Sequence, residues 1–500
     1  MKRLPVLSVA VLALASLGAC IGDSRRDPRE LTLALRADVT GFFPNPSFSD
    51  ESYTIYLNQC VFEGLVGVGA NHEPVPAVAE GWEQPDDTTW LFHVRRGLKF
   101  NDGTNVTPAD VVASLNASRE RGWFDAGNVN VIESVRGVGP STVEVKTKEP
   151  YPALLYKLPY TFILPERVMG MKPVPSVGTG PYVLESWEPK REIRFKRNPH
   201  GRSPGPGFAK VRILVVPDAE TRITMVVTGK ADMADEVPSV DVPRLRNVAS
   251  LEVISRPSGR VVFLAPRADR KPFDDIRVRE ALDKAIDREE LIRRALPDMA
   301  LPASQIVSPT VVGFDPSITP PKPDREAARR LLREAGYPNG FDVTLDGPSN
   351  RYVNDVEVLH EVARQLALVG MRVAVNPVEK GAFYRLIESG KSSIYLFGWA
   401  CELGEASEAL DELMHSPTKA MLGASNFQGI ADADLDALIE AGDRTVTPDD
   451  RAEVYRKALA RIAQKRLVVP LETQIETYVL SRRIRWEPPL NLALDVKAIS

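Results

Sequence analysis

Phe263-Leu264-Ala265-Pro266-Arg267-Ala268-Asp269-Arg270-Lys271 divides this chain into two stretches of different character. Up to Arg260 the sequence is mostly short apolar alternations broken by Pro and Gly, which predicts strands and loops. Beyond it, Pro272-Phe273-Asp274-Asp275-Ile276-Arg277-Val278-Arg279-Glu280-Ala281 opens a charged, strongly helical run that extends to about Arg294. A change of this kind, far from either end of the chain, predicts a boundary between two lobes.

Working outward, strands and helices alternate on both sides. Leu31, Leu33 and Leu35 alternate with Thr32, Ala34 and Arg36, the period of a half-buried strand. Val143 and Val145, Ile193 and Phe195, and Val343 and Leu345 repeat that period, and Val373 and Val375 mark a further strand. Thr107-Pro108-Ala109-Asp110 and Thr447-Pro448-Asp449-Asp450 carry a capping hydroxyl, a proline at the first helical position and acid in the first turn. After the second of these, Tyr455, Leu459 and Ile462 share one helix face. Asp324 caps another helix, with Ala328, Leu331 and Ala335 inward and Gly336 as its stop. Val356, Leu359, Ala363 and Leu366 step by three and four before Gly370. The fold class is therefore α/β. With 500 residues, 43% hydrophobic and 26% charged, the chain is globular, with about three domain-sized units or two large ones. Disordered, collagenous and multi-span membrane classes are excluded. The 41 Pro and 33 Gly fit many short connected segments rather than a long bundle.

The first twenty residues set the compartment. Met1-Lys2-Arg3 precedes an apolar run from Leu4 to Ala19, too short for a comfortable membrane span and suited to a signal peptide over 1–19. Leu17-Gly18-Ala19-Cys20 resembles a bacterial lipobox, which makes Cys20 the lipidated first residue of the mature chain. Residues 20–29 then form a polar tether. The expected location is the periplasm or cell surface, anchored to a bacterial membrane by lipid. Lys2 and Arg3 are the only charges removed, so the net charge moves from −4 to −6. No basic excess suggests nucleic acid as a partner. Cys60 and Cys401 read as isolated buried residues.

Catalytic signatures are missing. His360-Glu361 begins like a zinc-protease helix, but Arg364 stands where the second His is needed. Thr228-Gly229-Lys230-Ala231 lacks the upstream glycine and following hydroxyl of a phosphate loop. Gly178-Thr179-Gly180-Pro181 loses an amide donor to its proline and reads as a turn. No Gly-x-Ser-x-Gly elbow occurs. Paired acids suited to a glycosidase cannot be placed from sequence. No catalytic residue, cofactor or metal is expected, and five scattered His make nickel a weak ligand.

A series of blocks resembles the extracellular solute-binding proteins of the dipeptide, oligopeptide and nickel class (solute-binding family 5), which feed ABC importers. Val61-Phe62-Glu63-Gly64-Leu65-Val66 is similar to that family's (Y/F)EGLV, and Pro76-Ala77-Val78-Ala79-Glu80-Gly81-Trp82 to its P-x-LAESW. Leu91 to Thr104 matches F-x-LR-x-GVKFHDGT, and Asp110-Val111-Val112-Ala113-Ser114 follows as DVV-x-S. Gly178 to Tyr182 matches GTGPY, Arg197-Asn198-Pro199 matches RNP, and Thr228 to Asp232 sits where SGEID is expected. Pro272 to Ala281 matches PFDDVRVRQA, and Ala285-Ile286-Asp287-Arg288 matches AIDR. The order of the blocks covers nearly the whole mature chain.

The resemblance implies a two-lobed periplasmic-binding-protein fold (type II, cluster C) with an extra subdomain in lobe one. Lobe one would take 30–265 with a return over 480–500, and lobe two 266–479. It implies a monomer that encloses a small peptide or related solute and passes it to ABC permease subunits. Oligosaccharide, opine-type or metal-chelate ligands stay open, as do a receptor or chaperone-like role and, less favoured, an acid-pair hydrolase. Gly398-Trp399-Ala400-Cys401-Glu402-Leu403-Gly404-Glu405 looks like GW-x-x-D-x-GD, whose first acid meets the ligand's amino end in peptide binders. Here Glu402 and Glu405 replace both Asp, and each extra methylene moves the carboxylate out by roughly one C–C bond, about 1.5 Å. Trp399 is a stacking surface for the ligand or a packing residue of lobe two. Asn350-Arg351-Tyr352-Val353-Asn354-Asp355 resembles GRY-x-x-D, which assigns Arg351 to a ligand carboxylate. Gly423-Ala424-Ser425-Asn426 resembles a turn lining the cleft and assigns Asn426 to it.

Overall fold

Two long strands, Leu251–Pro266 and Val469–Ser481, run antiparallel and tie the two lobes together. They sit inside an 11-stranded mixed sheet. From one edge its order is Arg372–Glu379, Asp342–Ser349, Ile394–Ala400, then the two long strands. It continues through Met233–Ala234, Glu30–Leu35, Lys210–Val215, Glu192–Arg197 and Tyr182–Glu188. Parallel pairs occur within each half and are covered by helices on both faces, as parallel pairing requires. The computed structural model describes residues 27–43, 52–69, 73–121, 129–202, 207–401, 404–418, 422–489 and 494–500. The signal segment, Cys20 and Glu402 lie outside the described residues.

The long strands change cores along their length. Ile254, Tyr478 and Leu480 pack in one lobe with Leu31, Leu33 and Phe195. Val262, Leu264, Val469 and Leu471 pack in the other with Leu345, Leu359 and Leu396. Between them the pairing register shifts from Pro257 to Val261. A register shift bends and twists a strand locally. Lobe one also carries a separate four-stranded antiparallel sheet, ordered Ala79–Asp86, Thr89–Val94, Thr142–Thr147, Ile132–Gly137. The helix Pro108–Arg121 contributes Val111 and Leu115 to that sheet's own core, with Phe92, Val143 and Val145.

Most of the sequence-predicted elements form where the spacing places them. Asp324 accepts from the Ala327 amide at 2.8 Å at the start of Arg325–Glu334, and Gly336 follows at φ +91°. The charged run after Lys271 is two helices, Ile276–Ala285 and Arg288–Ala295, because Asp287 caps a second start through the Glu290 amide. Two expectations differ. Thr447 stands at the start of Pro448–Lys465, but its hydroxyl donates to the Asp450 carboxylate and caps no backbone amide. Glu30–Leu35 is not half-buried: Thr32 and Ala34 are as buried as the leucines. The strand lies between two parallel neighbours, and its alternate side chains feed separate cores on the two faces. Small or hydroxyl side chains on the second face imitate a polar exposure they do not have.

Three of the quoted blocks meet in one place. The Gly180 and Tyr182 amides donate to Val61 O and Cys60 O at 2.9 and 2.8 Å. Asn198 Nδ2 donates to Gly180 O at 2.8 Å. A Cβ on Gly178 would lie 2.2 Å from Val61 O, so the backbones meet only through glycine. Cys60 and Cys401 are both buried, in different cores, and form no disulfide with each other.

Candidate ligand cleft

A cavity of about 440 Å³ opens where the lobes face each other. Arg36, Tyr53, Tyr56 and Glu236 line it from lobe one. Arg260, Gln474, Glu476 and Tyr478 line it from the two long strands. Asn350, Arg351, Val353 and Lys380 line it from lobe two.

The lobe-one wall is a braced acid pair. Arg36 Nε meets Glu236 Oε2 at 2.7 Å, and the Arg36 amide donates to Asp235 Oδ1 at 3.0 Å. Behind them Arg222 meets Asp235 at 3.1 Å, both side chains 2% exposed. Tyr53 OH also donates to Asp235. Burial, then the adjacent Glu236 charge, push the Asp235 carboxyl up to about 6 in spite of Arg222. This wall is held in place before any ligand arrives.

The lobe-two wall is built by Asp355, the first residue of the helix Asp355–Ala367. Its carboxylate accepts from the backbone amides of Asn350, Arg351 and Tyr352 at 3.3, 2.8 and 3.1 Å. Wrapping those three amides around one acid puts Asn350 at φ +68°, a conformation that Asn tolerates better than most residues and that glycine adopts freely. Tyr352 OH donates to Gly398 O at 3.2 Å and accepts from the Gly398 amide at 2.8 Å. A Cβ on Gly398 would fall 2.8 Å from the Tyr352 ring, so the glycine before Trp399 makes room for this lock. The result aims Arg351 into the cavity, with its guanidinium 5.6 Å from the Tyr352 ring centroid. Lys380 begins the helix Lys380–Glu388, capped by the Glu379 carboxylate.

Arg260 stands on the long strand at its register shift, and Nη2 donates to Ser52 Oγ at 3.3 Å. Next to it Glu472 is buried, with Oε2 lacking a hydrogen-bond partner. Burial pushes the Glu472 carboxyl up to about 8, against the pull of Arg260.

A second polar region joins the extra subdomain to lobe two. Lys157 Nζ meets Asp411 Oδ2 at 3.1 Å, both side chains 7% exposed. Burial opposes the ammonium, but Asp411, Asp443 and Glu408 raise its pKa overall. Tyr455 OH donates to Asp443 at 2.8 Å, while burial and then Asp411 push the Asp443 carboxyl well above the usual range. Arg451 Nε donates to Glu405 Oε1 at 2.8 Å, and the guanidinium lies 4.9 Å from the Tyr156 ring centroid.

Of the sequence-predicted site residues, Arg351 lines this cavity. Glu405 does not: it is 1% exposed and its oxygens go to Arg451 and Ser407. Asn426 is buried too, and both ends of its amide serve the backbone of His415 and Ile430. Trp399 is half-buried on the strand Ile394–Ala400, packed on lobe-two apolar residues, and its indole N–H has no hydrogen-bond partner. Sequence reading passed over Arg260, Lys380, Glu476 and the Asp235-Glu236 pair. The only signal was charge beside apolar strand residues, as in Arg260 before Val261-Val262-Phe263.

The description "Bacterial extracellular solute-binding proteins, family 5 Middle" matches residues 73–420. The chain is 30% identical over 466 residues to the glutathione-binding protein GsiB of Salmonella choleraesuis (strain SC-B67), covering 89% of this chain and 88% of that one. It is 29% identical over 465 residues to the protein of the same name from Escherichia coli O1:K1 / APEC, with the same coverage. A dipeptide-binding protein from Pseudoalteromonas sp. SM9913, solved with Met-Leu, superimposes with a TM-score of 0.82 at 21% identity. That match covers 94% of this chain and 99% of that one. The periplasmic binding protein DppA from Helicobacter pylori, solved with the peptide STSA, gives 0.81 at 20% identity, covering 94% and 97%.

Proposed function

The chain belongs to the bacterial extracellular solute-binding proteins of family 5, and on that premise we propose that it captures a short peptide or peptide-like solute between its lobes. The observation that carries this reading is the cleft of about 440 Å³, lined from both lobes and by the strands that connect them. That volume falls in the range of small-ligand pockets, about 300–1,000 Å³. Arg351 takes a ligand carboxylate through its planar fork, and Glu476 offers a carboxylate to an ammonium.

The register shift around Ser258–Arg260 serves as the hinge. Solute that binds the closed arrangement better than the open one shifts the equilibrium toward closure. The closed form then docks on an ABC permease. Cys20 carries the lipid that holds the chain to the membrane, and no bond is made or broken in the solute. Micromolar affinity requires about 8 kcal/mol, within reach of a few charge-assisted hydrogen bonds and the enclosed apolar contacts. Because relatives carry the name glutathione-binding protein, reduced glutathione is the first solute to try.

Native mass spectrometry of the purified chain tests the proposal. The expected result is a co-purified mass in the range of a di- or tripeptide, lost on exchange and restored by an added peptide. A ligand of the native state also raises the melting temperature. No bound mass and no thermal response to glutathione or to dipeptides would contradict the reading, as would hydrolysis of the added peptide.

A further inference from the structure

We infer that the extra subdomain of lobe one is a clasp, whose segment 149–157 grips lobe two and holds the cleft shut through contacts outside the cavity lining. This rests on the solute-binding reading above only for what the shut cleft encloses. Three side chains of that short segment face lobe two. Glu149 meets Arg444 at 2.8 Å in solvent. The half-buried Tyr156 ring lies 4.9 Å from the guanidinium of Arg451, which is 1% exposed. Lys157 Nζ meets Asp411 Oδ2 at 3.1 Å, and both side chains are buried. None of these residues lines the cavity of the cleft.

Each side of the contact is held by its own core. Tyr151, Leu154 and Leu158 seat the segment among Phe92, Val143 and Val145 of the subdomain. Leu410, Leu413, Met414 and Tyr455 seat the Asp411 turn in lobe two. Among the described residues the subdomain's four-stranded sheet shares no strand with the 11-stranded sheet. Side chains alone therefore join these two bodies at this place, and a rotation about the long strands can part them. Lobe two also needs what the segment brings. Asp411 Oδ1 is buried without a hydrogen-bond partner, and Asp411 after burial raises the Asp443 carboxyl, while Lys157 pulls it down. When the lobes part, Lys157 and Asp411 are hydrated. When they meet, mutual attraction offsets the hydration both ions lose, so the net gain is small and closure stays reversible. Removing one ion leaves the other enclosed without its partner and favours the open form. Removing both charges lifts both penalties and permits closure again. Solute affinity follows, because a chain shut for a smaller fraction of the time binds more weakly in proportion.

Small-angle X-ray scattering of the solute-free chain, with isothermal titration of reduced glutathione and of L-alanyl-L-glutamine, tests this in the wild type, Lys157→Met, Asp411→Asn and the double variant. The wild type should have the smaller radius of gyration. Each single variant should be more extended and bind about tenfold more weakly, with solute restoring the compact form. The double variant should regain both compactness and affinity, which a residue needed only for folding of the subdomain would not allow. Thermal melts establish which variants fold. If Lys157→Met does not, Asp411→Asn carries the same comparison, since it leaves Lys157 enclosed without its closest acid. Scattering unchanged by the single variants that fold, or a double variant no more compact than they are, overturns the inference. If both solutes bind and the scattering order is absent, the clasp falls alone. If the scattering order holds while neither solute binds the wild type, the clasp stands and the peptide reading falls.

Discussion

The cluster of Lys157, Asp411, Asp443, Glu405 and Arg451 and the cleft around Arg260, Arg351 and Lys380 are equally dense in charge, and both lie where lobe one faces lobe two. They differ in what meets the charge. In the cluster, side chains from both lobes supply partners at 2.8–3.1 Å and the groups are almost fully buried. In the cleft, the charges border a cavity of about 440 Å³. The contrast shows that acid and base content does not mark a binding site. A buried ion pair already matched by protein contributes geometry, whereas charge that borders a cavity is also within reach of a solute.

That contrast can be broken experimentally, beginning with its strongest consequence. Arg451→Met strips Glu405 of its counter-charge at 1% exposure and should cost on the order of 3–5 kcal/mol in urea unfolding. Arg351→Met, by comparison, should change stability by less than about 1 kcal/mol while weakening solute binding tenfold or more. The opposite pattern would exchange the roles of the two regions. Glu472→Gln comes next. A buried carboxyl raised to about 8 costs the folded state stability as pH rises from the ordinary carboxylate range to about 8, and no more above it. The Gln variant should match the wild type near pH 4.5 and exceed it by on the order of 4 kcal/mol at pH 8. Tyr352→Phe removes the lock on Gly398 and should cost about 1–3 kcal/mol, with a loss of affinity because the Arg351 loop loosens. The smallest effect belongs to Arg444→Ala. Its pair with Glu149 at 2.8 Å crosses the same boundary but lies in solvent, and its loss should stay within about 0.5 kcal/mol.

Spacing revealed the helices well, because caps such as Asp324 and stops such as Gly336 and Gly370 act locally. Strand period revealed Thr142–Thr147 and Glu192–Arg197 but misjudged Glu30–Leu35, since period reports two faces without saying whether both are covered. The ordered blocks gave the two-lobed fold. They were less informative about the cleft. Glu405 stands in a recognised block, yet its partner Arg451 is 46 residues on and no spacing rule links them. Arg260, Lys380 and Glu476 stand in no block, and only the folding of distant segments brings them to one cavity. Arg351 was legible because the acid that shapes its loop, Asp355, lies within the same short motif.

A crystal structure of the chain grown with the tightest-binding of these solutes is the most direct test of the whole account. It should show the solute between the lobes, with an acidic group within about 3 Å of the Arg351 guanidinium. Solute seated elsewhere, or a cleft that holds only water beside a bound solute, would contradict it.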